Sequence, residues 1–109
     1  MTAETPVLDT LTDLTAASLA HNSLAPRELM LVRLAALIAV DAPPASYLAN
    51  AGAAADSGLT ADDTQAVMIA VAPVVGTARV VSAGGKIIRA LGFAVTVAEA
   101  EIADDDAGQ

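Results

Sequence analysis

The stretch Leu29–Val40 is apolar at every position except Arg33. A helix that is hydrophobic nearly all round belongs in an interior, so other elements must wrap around this one. The chain has mostly small side chains with which to do it. Of 109 residues, 27 are Ala; the sequence is 55% hydrophobic yet only 2% aromatic. Ordinary domains are about 45–50% apolar even with Gly included. One domain of this size forms only a modest core, and so much small apolar surface points to self-association. The same hydrophobicity excludes a disordered body.

Punctuation divides the rest into helices. Leu8, Leu11, Leu14, Ala17 and Leu19 place one apolar stripe on a first helix over about 8–20. His21-Asn22-Ser23 breaks it, and Pro26 and Glu28 suit the first turn of the apolar helix. Asp41 or Ala42 can cap a third helix that starts at Pro43-Pro44 and runs to about Ala55. Tyr47, Ala51, Ala54 and Ala55 offer it one close-packed face, and Gly58 closes it. Thr60 with Asp63 marks the start of a fourth helix, which Pro73 should end or kink. A fifth follows Gly76 to about Leu91, with Val80, Gly84, Ile87, Ile88 and Leu91 in an apolar stripe. Two internal glycines there, Gly84 and Gly85, call for a packing reason. Phe93–Val97 is β-prone but too short to define a sheet. The expectation is an all-α domain of about five helices over 1–98, followed by an acidic, flexible tail over 99–109.

Charge and missing residue types narrow the function. There is no Cys and one His, so a disulfide framework, a Cys nucleophile, a thiolate metal site and a multi-His zinc site are excluded. The net charge of −8, with no basic stripe and almost no aromatics, argues against nucleic acid and against an anionic membrane surface. The start of the chain has no basic, then apolar, targeting pattern, and no run is long enough to span a bilayer. A cytoplasmic protein is expected. Asp56-Ser57-Gly58-Leu59 superficially resembles the Asp-Ser-Leu of acyl carrier proteins, but Gly58 intervenes and the next helix turns strongly apolar after Asp63.

Four segments occur in an order that resembles a known family: Leu24-Ala-Pro-Arg-Glu-Leu, the apolar run Met30–Val40, Ala53-Ala-Ala-Asp-Ser-Gly-Leu-Thr, and Ala72-Pro-Val-Val-Gly. Over about residues 8–92 they are similar to the carboxymuconolactone decarboxylase family of the alkylhydroperoxidase D-like superfamily. The resemblance implies an all-α fold whose copies associate into homo-trimers or homo-hexamers, with sites near subunit interfaces. It also shows what is missing. The peroxidase branch would place its Cys-x-x-Cys near Val40 and Pro43, and thiol-dependent peroxide reduction requires a thiolate. The decarboxylase branch would place a His at Asn50, which can hydrogen-bond but cannot exchange a proton near neutral pH. Its Tyr in the later motif falls at Val74.

The remaining candidates each have a functional and a structural reading. Arg27 could hold a substrate carboxylate and Glu28 act as base; equally, they form a dipole-favoured acid and a surface or interface ion pair. Arg33 could bind an anion, or pair with an acid across a subunit contact. Tyr47 and Asn50, three residues apart on one face, could line a small polar pocket, or Tyr47 could be packing. His21 reads as a solvated helix-end residue. Two functions survive. One is a non-catalytic oligomer that binds small molecules or serves assembly, needing no cofactor or metal. The other is a cofactor-free decarboxylase, lyase or isomerase acting on a small carboxylated lactone or related cyclic acid.

Overall fold

The computed structural model describes residues 4–107, and of 93–98 and 101–107 the backbone alone. All elements among the described residues are helices: α1 (Pro6–Ala20), α2 (Pro26–Ala39), α3 (Pro44–Asp56), α4 (Ala61–Val75) and α5 (Thr77–Ala107). None of them is long and apolar enough to cross a membrane.

Proline opens the first three helices, where its missing N–H leaves no bond unmade. Gly58, at φ +83°, closes α3: its N–H reaches the Ala55 carbonyl and that of Leu59 reaches Ala54, the paired bonds of a Schellman ending. The same ending closes α2, but there Asp41 occupies the left-handed position at φ +55°. Aspartate tolerates that conformation better than most residues. Asp41 therefore does not cap α3 as expected, and neither does Ala42. The capping position falls on Pro43, which has no side-chain donor or acceptor to offer. At α4 the expected capping box is complete, with Thr60 and Asp63 each bonding the other's backbone N–H.

Two helix ends lie further on than the punctuation suggests. α4 passes through Pro73 and stops at Gly76, φ +90°; a proline in the last turn removes one internal bond without ending the helix there. α5 runs on past Leu91, through Phe93–Val97 and the acidic segment, to Ala107. No proline follows Pro73, and the Ala and Glu residues beyond Gly92 are good helix formers, so local β preference yields. At 31 residues this helix is about 46 Å long. The side chains of the expected acidic tail from Glu101 onward lie outside the described residues.

α2 sits at the centre, packed on α3, α4 and α5; α5 in turn packs on α3 and α4, while α3 and α4 do not touch. Ile38 and Ala83 have no exposed surface, and Ala42, Tyr47, Val67 and Ala90 complete their cluster. The core is small because alanine fills so much of it. α2 itself is only partly enclosed: Leu29, Met30 and Ile38 are buried, but Val32 and Val40 are more than half exposed. No residue of α1 is buried, and among the described residues its backbone runs close to no other helix. Its C-terminal end is held by one bond, Arg33 Nη2 donating to Ser18 Oγ at 3.0 Å.

This protomer is open. Its surface is 7542 Å², where a compact monomer of this mass exposes about 5,500 Å². Its radius of gyration is 16.0 Å, where about 13 Å is typical.

The two glycines inside α5 separate on packing. A methyl added at Gly84 would stand 3.3 Å from Met68 Cε, whereas one at Gly85 would meet nothing within 4 Å. Gly85→Ala should therefore raise stability by up to about 1 kcal/mol, and Gly84→Ala by less, because Met68 must move. Thermal unfolding of both variants, compared with the parent, checks this order.

Candidate functional site

The first turn of α2 presents Arg27 toward the junction between α3 and α4. Arg27 Nη1 donates to Asp63 Oδ2 at 2.8 Å and Nη2 to Oδ1 at 2.6 Å, with a longer bond from Nη1 to the Gly58 carbonyl at 3.3 Å. Asp63 also accepts from the Thr60 N–H at 2.8 Å and the Thr60 hydroxyl at 3.1 Å. A planar guanidinium matches a carboxylate with two parallel bonds. The Arg27 bonds first, then the Thr60 N–H, hold the Asp63 carboxyl well below the usual carboxylate range. Arg27 is thus already neutralised by a partner 36 residues away. Glu28, beside it, is exposed and has no bonding partner among the described residues.

A second polar group stands at the other end of α2. Asp41 Oδ1 accepts from Lys86 Nζ and from Ser82 Oγ, both at 2.8 Å. These two bonds, Lys86 first, lower the Asp41 carboxyl. Arg79 Nη1 reaches the Ala39 carbonyl at 2.6 Å. Cations from α5 thereby meet the negative end of the α2 dipole. Among the described residues no group of His, Asp or Glu side chains is placed to hold a metal ion.

Because α3 and α4 splay apart, a cleft of about 610 Å³ opens between them, with α2 and α5 as its floor. That volume is in the usual range for ligand sites. Met30, Leu34 and Leu37 of α2 line it, with Met68 of α4 and Ile87, Ile88 and Leu91 of α5. Ala51, Ala54 and Ala55 form the α3 wall. Among the described residues its polar side chains are those of Tyr47, Asn50, Thr60, Thr64 and Gln65, and none of these lining residues is charged at neutral pH.

The five candidate residues therefore divide. Tyr47 and Asn50 meet in the cleft, while Arg27, Glu28 and Arg33 are not part of its lining. Tyr47 is buried in the core cluster and its hydroxyl has no hydrogen-bond partner. Burial, and secondarily the negative Asp41, push its ionisation upward. Asn50 turns Nδ2 back to the Ser46 carbonyl at 2.9 Å, leaving its Oδ1 to accept a further bond. His21 is exposed at the end of α1. The Asp41–Lys86–Ser82 group escaped the sequence reading because Asp41 lies more than forty residues from the other two, with no spacing signal to join them.

The model of the carboxymuconolactone decarboxylase family matches residues 5–85, from the start of α1 into the first third of α5. The chain belongs to this family. No curated protein and no solved structure matches it. Within the matched region, the positions that the family resemblance assigns to a thiol pair fall near Val40, which is exposed, and Pro43, the capping position of α3. In this carboxymuconolactone decarboxylase family member, the helix start around Arg27 serves to fasten α2 to α4.

The depressed Asp63 carboxyl makes that fastening pH-dependent. An unfolded aspartate takes up a proton near pH 3.9, above the value Asp63 has when folded. Its contribution is therefore present above about pH 4 and is lost as pH falls through the folded value. Urea midpoints measured from pH 6 down to pH 2 should fall less steeply for Asp63→Asn than for the parent. An unchanged slope would show that the Arg27 pair contributes nothing to acid stability.

Proposed function

We propose that this protein is a self-assembling, non-catalytic module whose cleft accepts uncharged, apolar groups. The observation that carries this reading is the composition of the cleft. A site for a small carboxylated acid needs a cation for the carboxylate and a group that can move a proton. Among the described residues the cleft offers neither: Arg27 is spent on Asp63, Glu28 lies outside, and the only titratable one in the lining is Tyr47, whose burial holds it protonated. Asn50 stands where the family's decarboxylases are expected to have a histidine and supplies only hydrogen bonds. Reduction of peroxides by thiols is excluded by the lack of Cys. Assembly into the trimer or hexamer that the family resemblance implies is supported by the open protomer and by the exposed apolar side chains of α1 and α5.

The alternative, a cofactor-free decarboxylase acting on a small carboxylated lactone, would have to release Arg27 from Asp63 before Arg27 could bind an acid. Two measurements decide. Sedimentation velocity at micromolar concentration should give a species well above 10.8 kDa, and the assembled protein should leave γ-carboxymuconolactone at the uncatalysed rate. Turnover that disappears in Glu28→Gln and survives in His21→Ala would establish the enzyme instead.

A further inference from the structure

The protomer has a helix without a seat and a seat without a helix. α1 carries Val7, Leu8, Leu11, Leu14 and Leu19, each half or more exposed, and none of its residues is buried. The cleft between α3 and α4 is apolar, open, and walled on one side by alanines that let a helix backbone approach closely. α1 at 15 residues and α3 at 13 are about 22 and 20 Å long, so one can lie along the other. Building on the assembly reading above, we propose that α1 of one copy docks into the α3–α4 cleft of a second copy.

Charge selects this occupant over a second α1. From Glu4 to Ala20 the chain has the acids Glu4, Asp9 and Asp13 and no base, so two α1 helices side by side bring like charge to like charge. The cleft lining has no charge. Arg89, next to Ile88 and Ala90 of that lining, is exposed and has no ion pair or hydrogen bond among the described residues, which leaves it available to the α1 acids. Because each copy carries both a donor and an acceptor surface, the contact closes either as a reciprocal exchange between two copies or as a ring.

The absence of Cys makes a direct test clean. One chain carries Leu11→Cys on α1 and another carries Ile88→Cys in the cleft; the two are mixed and mildly oxidised. The expected result is a disulfide-linked dimer of the two different chains, abolished by reductant and several-fold more abundant than in either chain alone. Three results would overturn the proposal: a link formed equally well by Leu11→Cys alone, a concentration-independent link within one doubly substituted chain, or no link. A second variant, Leu8→Asp with Leu11→Asp, should reduce the sedimenting species to a monomer while retaining its helical circular dichroism. Failure to link while the parent still sediments as an oligomer would remove this docking mode alone. A monomeric parent would remove the assembly reading with it.

Discussion

Apolar surface in excess of what one copy can enclose governs this structure. Alanine and glycine let helices come close, but each contributes little area to the interior, so four packed helices bury only a short list of side chains around Ile38 and Ala83. Burial of apolar area is the main favourable term in folding, and a core this thin leaves much of that term unrealised within the protomer. The exposed faces of α1, α2 and α5 hold the remainder. On the proposed assembly, folding and association are parts of one process, as in proteins whose stability depends on protomer concentration.

Polar bonds compensate by fixing positions. α2 is fastened at its start through Arg27 to Asp63 and beyond its end through Asp41 to Lys86 and Ser82. Exposed ion pairs contribute little individually, but both of these connect helices distant in the chain and set how α4 and α5 lie against α2. The first also bears on chemistry. An arginine that already has both nitrogens on a carboxylate is a poor receptor for another acid, so the feature that resembles a reactive pair in sequence acts here as a brace.

Much of the architecture was legible in the sequence, since helix punctuation is local chemistry. Pro26, Pro44, Gly58 and the Thr60–Asp63 box mark the ends they were expected to mark. The misjudged ends depend on competition between signals. Asp41 reads equally as a cap for the next helix and as a left-handed stop for the previous one, and only the cations of α5 decide between them. The fifth helix outlasts its apolar stripe because continuing a helix needs only acceptable propensity, not a buried face. Likewise the long apolar run of α2 announces an interior, but periodicity cannot say whether the covering belongs to the same chain. Of the candidate site, Tyr47 and Asn50 were recognisable as neighbours because three residues make a helical step. The partner of Arg27 was not, since nothing local relates residue 27 to residue 63.

The two carboxylates that hold α2 have a consequence for behaviour in acid. Asp41 and Asp63 stay ionised at pH values where ordinary carboxylates gain protons, while the chain as a whole becomes neutral near pH 4.1. Proteins near zero net charge come out of solution most readily. On acidification this protein should therefore lose solubility while its helices are still latched, and the precipitate should be native: redissolving it at neutral pH would require no refolding.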